Sequence, residues 1–416
     1  MSTATLHSEK KETLVPKLRF PEFDFKDNSF NKYSFKDIFQ FSTGKNIKQN
    51  EASPDFETPC VRYGELYHMY NEVIYNVINK TNLDRAELVF SKGNEILLPS
   101  AGEDPLDIGS ASALTIENVA IGRTINILRP IKENVYSQIY ASYYINEKLR
   151  KKISKLAKGS SISNVYNSDL KTLEITLPSL SEQQKIALFL SAVDEKTQQL
   201  SRKKELLEQY KKGVMQQLFS RKLRFKDENG TDYADWEEKT LDDIIHFVNG
   251  KGHEQSIDNG GDFIVVNSKF VSTQGRVRKF CNTQISPLQK NDIVMVMSDV
   301  PNGKTLAKCY LIEMDNLYTL NQRICGLKAK EGNLNEFLIY LLNRNRYYLA
   351  FDSGVGQTNL KKEDVLNCPL YIPNSIEEQQ KIANFLSGID VKIENTNQEI
   401  NQMQNFKKGL LQQLFA

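Results

Sequence analysis

SLSEQQKIALFLSAVDEKTQQL, residues 179–200, returns as SIEEQQKIANFLSGIDVKIENT at residues 375–396, and YKKGVMQQLFS at 210–220 returns as FKKGLLQQLFA at 406–416. Both pairs share one offset, from Ser179 to Ser375, and roughly 19 of about 42 gap-free positions are identical, so the chain carries an internal duplication. Each copy lacks proline after its first residues and is rich in Gln, Lys, Glu and Leu, which favour the helix. Two helices of about ten turns are expected. In the second, Ile382, Leu386, Ile389, Ile393, Thr396, Ile400, Met403, Leu410 and Leu414 alternate in steps of four and three, broken at Lys407. In the first, Ile186, Leu190, Val193, Thr197, Leu200, Leu207, Val214 and Leu218 form a similar stripe, with Lys204 and Lys211 intruding. A helix with one apolar stripe needs a partner, and the duplicate is at hand. An antiparallel pair would hold one domain at each end.

Outward from the helices lie two segments of unlike sequence, 17–178 and 221–374, with residues 1–16 as a flexible tail; the helices take 179–220 and 375–416. The segments share a skeleton. Lys17-Leu18-Arg19-Phe20 is echoed by Lys222-Leu223-Arg224-Phe225, SFKDI after Phe30 by TLDDI after Trp236, and Gly44-Lys45 by Gly250-Lys251. Near the ends, Gly159-Ser160-Ser161 with Asn164 is matched by Gly356-Gln357-Thr358-Asn359. Short apolar runs such as EILLP, TINIL, FIVVN and DIVMVM, bounded by Gly, Pro, Asn and Asp, read as strands. The expected fold class is α+β: two pseudo-symmetric α/β domains separated by two long antiparallel helices forming a coiled coil. The middles do not align, which suits two modules doing one job on different targets.

Bulk properties bound the function. At 416 residues the chain exceeds one comfortable core, and nothing approaches the apolar run of a bilayer span, so a cytoplasmic protein is expected with no membrane partner. Lys and Arg number 54 against 52 acidic residues, so any nucleic-acid binding must use local patches. The five cysteines show no CxxC spacing and read as reduced core thiols. VPNGKT at residue 300 fails as a phosphate-binding loop because Ser298 stands where that pattern requires glycine. No adenine-methyltransferase motif, GxSxG elbow or HExxH is present, and no catalytic, cofactor or metal residues are assigned.

Taken together, the duplicated helices, the LRF segments, the GSS..N and GQTNL segments, LPSLSEQQKIA with IPNSIEEQQKIA, and the closing KKGLLQQLF resemble the specificity subunit of type I restriction-modification systems. That resemblance covers the chain after its tail. It implies two target-recognition domains, each binding one half of a split asymmetric double-stranded DNA site. It also implies helices that act as spacer and as docking surface for two adenine-N6 methylation subunits, with restriction subunits as further partners. S-adenosylmethionine, ATP and Mg would be held by those subunits, and none by this chain. Two other readings stay open: a coiled-coil interaction protein, and a stand-alone DNA-binding regulator.

Candidate DNA contacts combine permissive backbone with hydrogen-bond donors or cations. They are Lys45 and Asn46; Lys158, Ser160, Ser161 and Asn164; Lys251 and His253; Arg276 and Arg278; Gln322 and Arg323, whose groups suit adenine and guanine edges; and Gln357, Thr358 and Asn359. Turns and helix caps would use the same residue types. For docking, the duplicated polar run nominates Glu182, Gln183, Gln184 and Lys185 with Glu378, Gln379, Gln380 and Lys381.

Overall fold

The structure, a computed structural model, describes residues 16–23, 30–159, 161–253 and 255–415. The two expected helices form without a break, Leu180–Phe219 and Ile376–Leu414. Two compact units result, and they cut across the linear order. One runs to Arg202 and takes in the segment from Asn397 onward; the other is Lys203–Thr396. Each unit is therefore one domain, the first half of the helix that follows it, and the second half of the other helix. Within each, starts pair with ends, which makes the helices antiparallel.

In the first unit, strands Phe39–Thr43, Ile125–Pro130, Glu95–Pro99, Ser112–Leu114 and Val73–Ile74 form a five-stranded sheet in that order, all antiparallel except the last pair. Glu95–Pro99 lies at its centre and is buried along its whole length, which its unbroken apolar run requires. A second sheet orders Lys80–Thr81, Thr58–Val61, Glu117–Ile121 and Phe90–Lys92, with its middle pair parallel. Asn31–Ser34 pairs with Glu174–Leu177 and ties the domain's start to its end. The core gathers Phe35, Phe39, Tyr140, Ile175, Ile186 and Leu190 with Leu410 and Leu414 of the second helix and Phe415 just after it.

The second unit repeats this plan with fewer strands. Its main sheet orders Ile245–Asn249, Ile324–Ala329, Ile293–Val296 and Cys309–Leu311, and its second sheet orders Phe280–Cys281, Phe263–Val266 and Tyr318–Leu320, the latter pair parallel. Glu237–Thr240 pairs with Pro369–Ile372 as the equivalent tie. Middles that share no readable sequence thus share a topology. Val214 and Leu218 meet Ile382, Leu386 and Ile389 in this core, as the stripe predicts. All five cysteines are buried and unpaired, and burial pushes the Cys60 thiol up to about 12.

Lysines interrupting the stripes have partners. In the first unit Lys407 lies 2.7 Å from Asp194 and 2.9 Å from Glu72, while the Tyr143 hydroxyl donates to Asp194 at 2.6 Å. In the second, Lys211 lies 2.5 Å from Asp390, to which the Tyr340 hydroxyl donates at 2.9 Å. One device recurs in both units. A polar group inside a helix seam fixes register, because any slip leaves its charges unpaired.

Candidate nucleic-acid interface

Backbone bonds build the same exposed edge in both domains, where two strands of the main sheet end and a third begins. In the first, the Gly44 N–H donates to the Ile125 carbonyl at 3.1 Å, Lys45 to Ile121 at 3.1 Å, and Arg123 to Asn46 at 2.9 Å. In the second, Gly250 donates to Ile324 at 3.1 Å, Lys251 to Leu320 at 3.1 Å, and Gln322 to Lys251 at 3.1 Å. Glycine is required at the turn: a Cβ on Gly44 would lie 2.0 Å from the Gly122 carbonyl oxygen, and one on Gly250 1.9 Å from that of Asn321. Thr124 and Arg323, at φ 68° and 66°, make the matching left-handed corner.

A short ladder joins this corner to the late loop of each domain. Ser100 donates to the Thr124 carbonyl at 2.8 Å and accepts from Val165 at 3.0 Å; Met297 donates to Arg323 at 2.9 Å and accepts from Leu360 at 2.8 Å. Segments chosen separately in the sequence are thereby brought together. Lys45 and Asn46 share an edge with Lys158, Ser161 and Asn164, and Lys251 shares one with Gln322, Arg323, Gln357, Thr358 and Asn359. Ser160 lies outside the described residues. Arg276 and Arg278 sit instead on the turn after the short helix Ser268–Ser272, their Nε atoms donating to the carbonyls of Thr273 and Gly275.

Several of these side chains are already engaged. Asn46 donates to the Glu87 carbonyl at 2.9 Å, Asn164 to that of Ile162 at 3.2 Å, and Gln357 to the Ser298 hydroxyl at 2.7 Å. Ser298 in turn donates to Asn359 at 2.6 Å, and Thr358 is mostly buried. Lys158 pairs with Asp169 at 3.0 Å, and that carboxyl is held below its usual range by the Tyr166 N–H and then by Lys158. Lys45, Ser161, Lys251, Gln322 and Arg323 are exposed.

His253 is a correction: 1% exposed, it lies behind the edge and not on its surface. Its Nδ1 lies 2.8 Å from the Lys251 carbonyl and 3.4 Å from the Asn321 side chain, and its Nε2 lies 2.8 Å from the Thr319 hydroxyl. It is a filler that holds the corner from behind. The VPNGKT loop also turns inward. Asp299 accepts from the amides of Val300 at 2.9 Å, Thr305 at 2.6 Å and Leu306 at 3.0 Å, so the chain's own carboxylate occupies the place an anion would take.

Half of the docking run is corrected in the same way, because Glu182, Gln183, Glu378 and Gln379 are completely buried. Arg19 forks onto both oxygens of Glu182 at 2.7 Å, and Arg224 onto those of Glu378 at 3.1 and 3.0 Å. Gln183 accepts from the Ser137 N–H at 2.9 Å and donates to the Pro178 carbonyl at 2.9 Å; Gln379 accepts from Leu334 at 2.9 Å and donates to Pro373 at 2.9 Å. Their fidelity in the repeat answers to internal bonding: each pair clamps the start of a long helix to its domain. Gln184 and Gln380 are exposed, Lys185 pairs with Glu22, and Lys381 donates to the Lys226 carbonyl.

Sequence reasoning missed Arg62 and Arg123. Arg123 is the positional equivalent of Gln322, a match visible only through the backbone bonds above. Among the described residues no cluster of His, Cys, Asp and Glu could hold a metal ion, and no helix is long and apolar enough to cross a membrane.

The family described as type I restriction modification DNA specificity domain matches residues 28–209 and 233–405, most of the chain. The chain belongs to that family. It is 27% identical to the type I restriction enzyme MjaVIII specificity subunit of Methanocaldococcus jannaschii, over 68% of this chain and 71% of that one. It is 21% identical to the StySPI specificity subunit of Salmonella potsdam, over 86% and 81%. The fold matches the crystal structure of a type I restriction-modification S subunit from M. genitalium with a TM-score of 0.65 at 20% identity, covering 97% of this chain and 99% of that one. As a specificity subunit the chain is the non-catalytic component of its system.

Proposed function

We propose that this specificity subunit reads a bipartite, asymmetric double-stranded DNA site, one half per domain, and brings two adenine-N6 methylation subunits to it. The observation that carries the reading is the duplicated edge. One backbone scaffold presents Lys45, Arg123 and Thr124 in the first domain and Lys251, Gln322 and Arg323 in the second, so a common platform displays different donors. Cations at the edge hold phosphates, and the differing polar groups meet base edges. Gln184, Lys185, Gln380 and Lys381 remain the surface part of the docking run. S-adenosylmethionine is bound by the methylation subunits, ATP and Mg by restriction subunits, and none by this chain. The complex works in the cytoplasm.

The test is to coexpress the chain with its neighbouring methyltransferase and map methylated adenines across the host genome by single-molecule sequencing. A split motif is expected, with one half changing when residues 17–178 are exchanged and the other when 221–374 are exchanged. Methylation that proceeds without the chain, or an unsplit motif, overturns the reading and favours the interaction-protein alternative.

A further inference from the structure

Beside the corner of the first domain lies a cleft of about 440 Å³ lined by Ile47, Lys48, Arg62, Tyr67, His68 and Arg123, among others. We infer that this cleft reads a guanine in the first half-site through Arg62 and Arg123, a pair that the matching corner of the second domain lacks. The inference rests on the DNA-reading function proposed above and deepens it.

Arg62 is pre-set. Its Nε donates to Glu65 at 2.8 Å, and Glu65, 2% exposed, also accepts from the Arg62 N–H at 3.2 Å and from Asn79 at 2.9 Å. Holding the guanidinium by Nε leaves its terminal nitrogens, which have no other partner among the described residues, as a fixed pair of donors. Arg123 stands on the exposed corner, and among the described residues its guanidinium has no intramolecular partner. The turn that places them is strained: Ile47, a β-branched residue 3% exposed, sits at φ 56° directly after Asn46 at φ 49°. Tyr67 contributes an aromatic wall, its ring 4.4 Å from that of His68. A guanidinium fork matches the paired O6 and N7 acceptors that guanine presents in the major groove, and no other base edge offers that pair.

The second domain lacks both groups. Gly122 donates to Val61 as Asn321 donates to Val266, so Asn267 stands where Arg62 does. Its side chain is spent accepting from the Phe270 N–H at 2.9 Å as a helix cap. Gln322 replaces Arg123, and buried His253 packs behind the corner. Loss of the two arginines therefore bears on one half-site only.

The experiment maps methylation by the coexpressed complex for the wild type, Arg123→Ala, Arg123→Gln and Arg62→Lys. Arg123 is exposed, and lysine at position 62 keeps a cation beside Glu65 while removing the fork, so folding is retained. Expected is an about ten- to hundredfold loss of preference for guanine at one position of the half-site that follows residues 17–178, with the other half intact. A uniform fall in methylation with every base still required would make both arginines phosphate contacts and overturn the inference. So would relaxation in the half that follows residues 221–374, or unchanged motifs in all three variants. A wild type giving no split motif overturns the underlying reading, and this inference with it.

Discussion

The exposed edge of the first domain and that of the second are held by closely matching main-chain bonds, yet apart from the turn's Gly-Lys pair and the late-loop Asn164 and Asn359 their side chains differ. The equivalent Arg123 and Gln322, or Thr124 and Arg323, occupy one geometry with unrelated chemistry. Main-chain bonds ask little of side-chain identity, so these surfaces are free to diverge while the scaffold persists. At the helix starts the reverse holds. There the bonds are made by side chains, Arg19 to Glu182 and Arg224 to Glu378, and the residues are fixed in both copies.

That contrast predicts where substitution hurts most. Arg19→Ala and Arg224→Ala each strand a carboxylate that is 0% exposed, so each is expected to cost about 3–5 kcal/mol. Urea unfolding, with amide exchange to locate the loss, checks both the size and the equality. If one variant is tolerated and the other is not, the two helix clamps are not equivalent.

A smaller and unequal effect is expected at the seam. Lys407 neutralises both Asp194 and Glu72, each less than a fifth exposed, whereas among the described carboxylates Lys211 pairs with Asp390 alone, which is 42% exposed. Lys407→Ala should cost about 2–3 kcal/mol and Lys211→Ala about 1 kcal/mol, the second pair being more screened by solvent. Exchange of the amides at 186–194 against those at 382–390 reads the difference. Burial works to lower the Lys407 ammonium, and Glu72 and Asp194 outweigh it, so it is held above its ordinary value. Its contribution is therefore complete below the unfolded value of about 10.4 and is lost as the pH rises through the raised folded one. The advantage of wild type over Lys407→Met should fade in strongly alkaline solution and hold steady from there down to neutral pH.

The helices, the domain repeat and the turn at Gly44 and Gly250 were legible because each rests on local pattern: a helical stripe, an offset, a glycine where a carbonyl approaches. The Lys211 and Lys407 interruptions read as flaws, since a stripe shows one helix and hides the aspartate on its partner. Glu182 and Gln183 read as surface because a polar run at a helix start is ordinarily solvated. Their buried partners, Arg19 and the Ser137 amide, lie far away in the chain. Arg62 and Arg123 were invisible for a related reason: only the strand register brings residues 62 and 123 beside the turn at 44–47.

His253 offers the finest test of the comparison, because at the equivalent position the first edge has the apolar Ile47. It fills space behind the second corner with both ring nitrogens bonded, whereas the buried Ile47, at the equivalent position behind Lys45, is apolar. His253→Ala removes one partner of the Thr319 hydroxyl, leaving those it has in Ser286, and opens a void beside Asn321, at an expected cost of about 1–3 kcal/mol. If the histidine only supports, the variant complex should keep every base of both half-sites and lose methylation through a lower melting temperature. Conversely, a changed base requirement in the half that follows residues 221–374, with melting unaltered, would mean that a residue 1% exposed in the free chain reaches DNA in the complex. The corner would then open on binding, and the closed second edge would differ from the open cleft of the first only until DNA arrives.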